Sequence, residues 1–381
     1  MNVDKRGKVP QFEVIHVFND VIITIVVSRP FFEVHPMANP EAKPLLSTLH
    51  GHRQERPSVW MMRQAGRHLK EYLELRSRAK DFLDFCYTPS MAAEATLQPI
   101  RRYKMDGAIL FADILLILDA MGRDVRFEKG VGPLVETISS ASDLETVPLA
   151  TVVDRLSPVY ETVRRVKAEL PDETTFIGFA GSPWTVALYA LEGRGKTDKS
   201  GARRWAHGRA EELASILDVL VEGTAHYLKA QADAGVDALM LFESWAEGLP
   251  NDVFEEIVIR PNTKLVARLR ELGVTQPIIG FPRGAGGMLP KYVAETGVQC
   301  VGLDTAAVPD HVNAVLDSGM PVQGHLDPLL LLEGGERLDQ RVRDLIAAYE
   351  NRPHIFNLGH GVLPETPVPH VERVLDILRN G

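Results

Sequence analysis

Short apolar runs alternate with amphipathic stretches along the chain from residue 57 onward. Eight of the runs have the length of strands, and most are continuously apolar, as in strands that are buried on both faces. They occupy residues 58–62, 108–111, 176–180, 238–242, 277–281, 300–303, 321–324 and 355–358. The intervening stretches predict helices at 152–169, 202–234, 251–272, 288–295, 337–349 and 368–378, which carry stripes of apolar residues at helical spacing.

Eight strands that alternate with helices predict an α/β fold, a single (β/α)8 TIM-type barrel. The connection from residue 113 to 175 is too long for one helical crossover. Within it, residues 124–133 predict an inserted hairpin after the second strand. Composition does not shift after residue 45, so residues 46–381 are predicted to form one catalytic domain.

Residues 1–45 do not continue this alternation and are predicted to be an N-terminal extension. Lys5, Arg6 and Lys8 precede an apolar run at 21–27, but the run is short and no small-residue cleavage site follows, which argues against a signal peptide. A second methionine, Met37, begins a stretch that looks like an ordinary protein start. Our hypothesis is that the natural start is Met37 and that the residues before it are poorly ordered or not made. The alternative is an extension that adds an edge strand.

Bulk composition limits the classes of partner. The chain has 381 residues, 42 basic and 51 acidic, so its formal charge is 42 − 51 = −9. This charge argues against general binding to nucleic acid or an anionic membrane, but it leaves room for a local basic pocket. Two cysteines, Cys86 and Cys300, cannot form a disulfide framework, which favours a reducing cytosol. No apolar run reaches the length of a membrane helix.

Polar residues follow most of the predicted strands. Because the active site of such a barrel lies at the carboxyl ends of its strands, we expect these residues to meet there. They are Arg63 and Arg67 after the first strand, Asp113 after the second, Tyr189 after the third, Ser244 after the fourth, Arg283 after the fifth, Asp304 after the sixth, His325 and Asp327 after the seventh, and His360 after the eighth.

Two guanidiniums at the mouth of a strand form a fixed fork for planar anions such as carboxylates. Each candidate taken alone also has a structural explanation. The arginines could be surface residues held by acids, and Asp113 could belong to a buried ion pair. Tyr189 could be a half-buried residue whose hydroxyl meets water, Ser244 could cap the next helix, and His360 could be an ordinary turn residue. Their joint position at strand ends favours a site.

The stretch at 57–72, PSVWMMRQAGRHLKEY, resembles the amino-terminal signature of the uroporphyrinogen decarboxylase family, usually written P-x-W-x-M-R-Q-A-G-R-Y-L-x-E-Y. His68 stands where Tyr is common. The strings ILFADIL, GFAGSPWT, LFES and NLGHG, which contain or precede the other candidates, also look like those of the family. The resemblance runs from residue 57 to the C-terminus. Thr305 departs from it, since Trp is common there in some relatives.

The resemblance implies a cytoplasmic, homodimeric enzyme that needs no cofactor or metal. It would remove the four acetate carboxyl groups of uroporphyrinogen III to give coproporphyrinogen III and CO2. A carboxylate has enough lone pairs to accept four pyrrole N–H groups. The family's active-site positions fall on Asp113, Tyr189, Ser244 and His360. The residues predicted to bind substrate are Arg63, Gln64, Ala65, Arg67, Asp113, Tyr189, Ser244 and His360, and those predicted to be catalytic are Asp113, Arg63, Arg67, Tyr189 and His360.

Two other functions remain as alternatives. A related class of corrinoid- or thiol-dependent methyltransferases uses a zinc–thiolate site with His-x-Cys and a further Cys, and that pattern is absent from this sequence. A non-catalytic tetrapyrrole-binding protein on the same fold would keep the arginines but would not need Asp113. An assay of decarboxylation and an assay for metal separate the three.

Overall fold

The structure is a computed structural model, and it describes residues 15–18, 21–24, 43–128, 130–195 and 198–381. The chain divides into two units, Met1–Ala38 and Asn39–Gly381. In the first unit, strands β1 (Ile15–Phe18) and β2 (Val21–Thr24) pair with each other in antiparallel register. Most of the predicted extension, including Met37, lies outside the described residues, so its boundary and its order stay predictions.

The second unit is built on eight parallel strands in one sheet. The strands are β3 (Ser58–Val59), β4 (Gly107–Ile109), β7 (Thr175–Gly181), β8 (Ala238–Glu243), β9 (Ile278–Pro282), β10 (Cys300–Gly302), β11 (Val322–Gln323) and β12 (His354–Phe356). Their order in the sheet is β3-β12-β11-β10-β9-β8-β7-β4, and each strand overlaps one of the eight apolar runs. The predicted barrel is therefore confirmed.

An antiparallel hairpin interrupts the connection between β4 and β7. It consists of β5 (Val125–Glu128) and β6 (Gly132–Val135), and it lies where the sequence predicts one. Its ladder pairs Val125 with Val135 and Glu128 with Gly132. The aromatic ring of Phe127 on β5 packs edge-on against Phe82, with ring centroids 4.6 Å apart. The hairpin is thus attached to the helices that precede β4.

Helices fill the connections between the strands. They are α1 (Pro44–Leu49), α2 (Lys70–Arg76), α3 (Phe82–Tyr87), α4 (Pro89–Tyr103), α5 (Leu116–Ala120), α6 (Leu149–Arg155), α7 (Ser157–Glu169), α8 (Pro183–Glu192), α9 (Ser200–Gly208), α10 (Ala210–Ala234), α11 (Asn251–Phe254), α12 (Arg260–Glu271), α13 (Leu289–Thr296), α14 (Pro309–Val315), α15 (Pro328–Glu333), α16 (Gly335–Ala348) and α17 (Val368–Asn380). The helix predicted at 202–234 breaks at Arg209, and a π-helical turn joins α11 to α12. Within the described ranges, no helix is long and apolar enough to cross a bilayer.

Side chains close the barrel between its first two strands, β3 and β4. The Asp106 N–H donates to the Val59 carbonyl at 2.9 Å, and the Asp106 carboxylate accepts the Val59 N–H at 2.8 Å. The buried Gln64 side chain donates to the Gly107 carbonyl and accepts the Met61 N–H, both at 3.0 Å. These bonds take the place of a strand ladder at the seam.

The barrel interior also contains a polar contact. Trp60 and Gln323 are buried, and the indole Nε1 of Trp60 donates to Gln323 Oε1 at 2.7 Å. This bond joins the end of β3 to β11 across the core. A buried indole N–H that lacked such a partner would be destabilising, so the pair allows a large aromatic ring to fill the barrel axis.

We expect Gln64→Leu to destabilise the barrel strongly. The substitution leaves the Met61 N–H and the Gly107 carbonyl buried without a partner, and each such group costs about 1–3 kcal/mol, so the free energy of unfolding should fall by about 2–6 kcal/mol. Denaturant unfolding measures the change. The control is Gln340→Leu, the same substitution at an exposed position of α16, which should change stability by less than about 0.5 kcal/mol. Equal effects in the two variants would contradict the closure assigned to Gln64.

Candidate functional site

The turn after β3 places Arg63 at the carboxyl-terminal mouth of the barrel. Asn357 Oδ1 accepts the Met62 N–H at 2.9 Å, and the Met62 carbonyl accepts the Val362 N–H at 2.9 Å. Arg63 itself has a φ of 63°, in the left-handed region. Gly361 lies against its side chain, and a Cβ on Gly361 would stand 2.3 Å from Arg63 Cδ. The direction of the guanidinium is therefore set by its neighbours.

Arg63 faces three other residues predicted for the site. Solvent reaches Arg63 through the mouth, yet surrounding protein desolvates its guanidinium and lowers its pKa. The carboxylate of Asp113 acts in the opposite direction, and the cationic Arg67 adds to the lowering. Arg67, Asp113 and Tyr189 thus lie near Arg63, and their roles in a site stay predictions.

Asp113 carries the acidic group of this space. Burial raises its pKa to about 6, against the opposing effects of the Leu115 N–H, which donates to Asp113 Oδ1 at 2.9 Å, and of the Arg63 charge. Within the described ranges, no cation lies within the 4.0 Å of a salt bridge to Asp113. The structural ion pair that was the alternative for Asp113 is thus not found there. At neutral pH the carboxyl is ionised and attracted by Arg63 without touching it.

An aromatic wall lies behind Asp113. Phe111 makes close ring contacts with Tyr72, Phe82 and Phe85, at centroid separations of 5.7, 6.1 and 4.7 Å. The Phe111 backbone N–H donates to Thr96 Oγ1 at 2.9 Å, which fixes the segment between β4 and Asp113. The segment that leads to Asp113 is thus packed in apolar surroundings, which favour the neutral form of a nearby carboxyl group.

Tyr189 lies on α8, which begins directly after β7. Its ring makes an edge contact with Trp245 at a centroid distance of 6.2 Å, and only 9% of the residue is exposed. Burial raises the pKa of Tyr189, the charge of Asp113 raises it further, and Arg63 opposes both. The phenol is therefore protonated and available as a hydrogen-bond donor at the mouth. Ser244 follows β8, half-buried, and does not cap α11, whose N-cap is Pro250.

His360 lies between two glycines in the loop after β12. Burial, followed by the positive charges of Arg63 and Arg283, lowers the pKa of His360 to about 4. The imidazole is therefore neutral at physiological pH and offers one donor and one acceptor. The Gly359 N–H donates to the Leu326 carbonyl at 2.8 Å, which ties this loop to the end of β11.

Gln64, Ala65 and Arg67 complete the predicted set. The hydrogen bonds of the Gln64 side chain are used to close the barrel. A substrate-binding role for Gln64 stays a prediction, and its backbone is the part that remains available for it. The N–H groups of Ala65, Gly66 and Arg67 have no acceptor in the described part of the chain. Consecutive backbone N–H groups of this kind favour anions. His68 turns away and stacks on Tyr103.

Three other strand-end residues serve the scaffold. The Asp304 carboxylate accepts the N–H groups of Gly284 and Ala306, at 2.6 and 2.8 Å. Asp327 caps α15, and the buried His325 contacts the Tyr349 hydroxyl at 3.0 Å. These residues lie at strand ends, as the sequence indicates, but their hydrogen bonds stabilise loops.

One buried acid was not predicted as a functional residue from the sequence. Glu243, the last residue of β8, is fully buried between the helices, where Thr185 donates to one carboxyl oxygen and Asn262 to the other at 3.3 Å. Burial raises its pKa to about 8, so the group is largely protonated at neutral pH. Thr185 also accepts the Trp245 N–H at 3.3 Å. Glu243 thereby connects α8, which carries Tyr189, to the loop after β8. No sequence signal distinguishes it from an exposed loop acid.

Across the described ranges, no three His, Cys, Asp or Glu side chains come together as ligands for a metal ion.

Comparisons with known proteins identify the family of the chain. A family model described as uroporphyrinogen decarboxylase (URO-D) matches residues 40–381. The uroporphyrinogen decarboxylase of Hyphomonas neptunium is 71% identical over 339 residues, which cover 89% of this chain and 98% of the relative. That of Rhizorhabdus wittichii is 52% identical over 342 residues, with the same coverage of 89% and 98%. A solved methyltransferase from Methanosarcina mazei shares the fold at a TM-score of 0.72 and 17% identity, over 88% of this chain and 98% of that one.

We expect Gly361→Ala to displace Arg63 while the fold stays intact. The new Cβ would meet the flexible Arg63 side chain, which can move away, and the pKa of Asp113 should then rise above about 6 because the opposing cation is further away. Nuclear magnetic resonance titration of Asp113 and calorimetry measure the two effects. The matched control is Gly359→Ala, whose Cβ would stand 2.4 Å from the backbone nitrogen of Thr305 and should lower Tm. An unchanged pKa of Asp113 in Gly361→Ala would contradict the contact.

Proposed function

The chain belongs to the uroporphyrinogen decarboxylase family, and we propose that it removes the four acetate carboxyl groups of uroporphyrinogen III as CO2 to give coproporphyrinogen III. The observation that carries the proposal is the Asp113 carboxylate. It is desolvated, unpaired by any salt bridge in the described ranges, and attracted by Arg63 at the mouth of the barrel. The relatives named above support the same reaction.

The substrate's charge explains the cations at the mouth. Uroporphyrinogen carries four acetate and four propionate arms, which are anionic at neutral pH. Arg63 and Arg67 offer planar donors for these carboxylates, and the free backbone N–H groups that begin at Ala65 extend the same positive surface. Binding at this rim leaves the centre of the tetrapyrrole over Asp113.

Asp113 would bind the centre of the macrocycle. Four pyrrole N–H groups point inward in the reduced, flexible ring system, and one ionised carboxylate can accept them. These donors would also lower the pKa of Asp113 in the complex, since hydrogen bonds to the charged form favour it. Substrate binding therefore keeps the group ionised when the charge is needed.

The reaction uses the pyrrole ring as its own electron sink. A proton adds to the ring carbon next to the one that bears the acetate arm and gives a cationic, iminium-like ring that is conjugated with the acetate-bearing carbon. The bond between the methylene and the carboxylate breaks, CO2 leaves, and its electron pair neutralises the ring. The methylene carbon then takes a proton and the ring carbon loses one, so each round consumes one proton and converts –CH2–COO⁻ into –CH3 and CO2. Asp113 would stabilise the cationic ring in a desolvated site, a preorganised electrostatic effect.

The other residues would position the arms. Tyr189, protonated and 9% exposed, is a donor beside Asp113. His360 is neutral, so it would bind an arm through a hydrogen bond or transfer a proton without adding charge. Ser244 follows β8 and would offer a hydroxyl at the same end of the barrel. These roles for Arg63, Arg67, Tyr189, Ser244 and His360 rest on their placement and on the family resemblance.

We place the enzyme in the cytoplasm and propose a homodimer, both by resemblance to the family. Cys86 and Cys300 are buried free thiols, which suits a reducing compartment. Sedimentation of the purified chain would measure the assembly.

Purified protein should convert uroporphyrinogen III to coproporphyrinogen III without any additive. Chromatography of the products would resolve intermediates that have lost one, two or three carboxyl groups, and CO2 release should equal the number of carboxyl groups lost. Tight binding without loss of carboxyl groups would contradict the enzyme and favour a tetrapyrrole carrier.

Asp113 should set the acid limb of the pH profile. Because catalysis needs the ionised form, kcat/KM should be full above a pKa of about 6 and fall roughly tenfold for each pH unit below it. Asp113→Asn keeps the shape but loses the charge, so kcat should fall by about 10²–10³ with a smaller change in binding, and the limb should disappear. Asp119→Asn is the control, since Asp119 is another partly buried acid with a raised pKa, bonded to Tyr87. A well-folded Asp113→Asn enzyme with normal turnover would overturn the mechanism.

A further inference from the structure

A group of charged side chains lies on the side of the mouth opposite Arg63. It consists of Lys199, Arg203, Glu247 and Arg283, and we refer to it as the Glu247 cluster. Arg283 follows the fifth barrel strand, β9, whereas Arg63 follows the first, β3. In the circular order of eight strands these two are four places apart, so the two cations stand on opposite sides of the mouth.

Three cations in this cluster converge on one acid. Arg283 Nη2 lies 3.0 Å from Glu247 Oε2, and Lys199 Nζ lies 3.4 Å from Oε1. Arg203 Nη2 donates to the Glu247 backbone carbonyl at 2.6 Å. Arg283 and Lys199 thus share the single carboxylate of Glu247, which is fewer acids than cations at this contact. The pairing leaves charge on the two cations that a further anion can meet.

The backbone around Arg283 is firmly held. Its N–H donates to the Glu243 carbonyl at 3.1 Å, and the next N–H, of Gly284, donates to Asp304 at 2.6 Å. Gly284 has a φ of 80° and packs so closely on Glu247 that a Cβ would lie 2.5 Å from the Glu247 Cα. The turn after β9 is thus locked against the loop after β8.

The guanidinium of Arg283 keeps donors for a ligand. Nη2 pairs with Glu247, and Nη1 makes only a long contact of 3.4 Å with the Ser244 carbonyl. Nε has no acceptor among the residues that the structure describes, and the side chain is 30% exposed. The same guanidinium lies close enough to His360 for its charge to lower the pKa of that imidazole. Arg283 is therefore oriented by protein contacts and open to an anion.

We propose that the Glu247 cluster is a second carboxylate site, at which Arg283 binds a side-chain carboxylate of the tetrapyrrole opposite Arg63 and Arg67. The inference rests on the proposed function. A ring bearing eight carboxylates presents them around its whole rim, so cations on one side alone would leave the far arms unpaired. Glu247 holds the Arg283 fork in place, and Lys199, whose Nζ lies 3.9 Å from the Trp245 ring centre, lines the same side. Arg283 is thus a specificity-determining residue for arm recognition.

The test is steady-state kinetics of Arg283→Gln with uroporphyrinogen III. KM should rise about tenfold, the value of one charge-assisted hydrogen bond, while kcat changes little because the arm is remote from the reacting carbon. The dependence of KM on salt should also become weaker. Arg268→Gln is the matched control, since Arg268 pairs with Glu222 at 2.9 Å and is 33% exposed, but lies on the outer helix α12. It should leave KM unchanged.

Inhibition by coproporphyrinogen III identifies the arm. This product has propionates and no acetates. If its inhibition constant rises together with KM in Arg283→Gln, the arm that Arg283 binds is a propionate; if the inhibition constant stays the same while KM rises, the arm is an acetate. Either result supports the site. An unchanged KM in folded Arg283→Gln, or in Arg283→Met if the first variant does not fold, would overturn it and leave the cluster a loop anchor. Wild-type protein that releases no CO2 would refute the proposed function itself, which is a separate outcome.

Discussion

The seam between β3 and β4 is the constraint on which the mouth of the barrel depends. β3 has only two residues in the ladder, and the side chains of Gln64 and Asp106 complete the connection to β4. Arg63 directly precedes Gln64 in the chain, and Asp113 lies just beyond β4. Closing the seam therefore brings a guanidinium and a carboxylate from distant parts of the sequence to face each other, so the same hydrogen bonds serve stability and charge placement.

Arg63 then determines which groups at the mouth are charged. Burial favours the neutral form of both Asp113 and His360. The positive charge of Arg63 opposes burial at Asp113 and reinforces it at His360, because an anion gains from a nearby cation and an imidazolium loses. One arginine thus keeps the acid ionised and the imidazole neutral at the same pH. The anionic Asp113 suits a reaction whose cationic intermediate must be stabilised. The neutral His360, which can both donate and accept a hydrogen bond, suits the proton transfers of the same reaction.

The sequence predicts the barrel well because buried parallel strands must be apolar and the site must follow them. That rule predicts that Arg63, Asp113, Tyr189 and His360 lie at one mouth of the barrel, and their roles there stay predictions. It fails where a role depends on distant partners. The hydrogen bond from Gln64 to β4 depends on the register of that strand, and the burial of Glu243 depends on α8 and α12, which enclose it. The Glu247 cluster joins two separate connections, a proximity that periodicity does not encode. Helices α3 and α4 were not predicted, since α3 has only six residues and α4 contains Pro99 and buries small and polar residues such as Ala92 and Gln98.

The backbone of Arg63 illustrates a trade between stability and activity. A side-chain-bearing residue with a φ of 63° is about 1–2 kcal/mol less favourable than glycine would be in the same turn. If random variants were selected for thermal resistance alone, glycine would therefore be favoured at position 63. Selection for growth would eliminate that glycine variant. The arginine is a place where the fold keeps a less stable backbone because its function needs the side chain, and a thermostabilised version of this protein would have to gain its stability elsewhere.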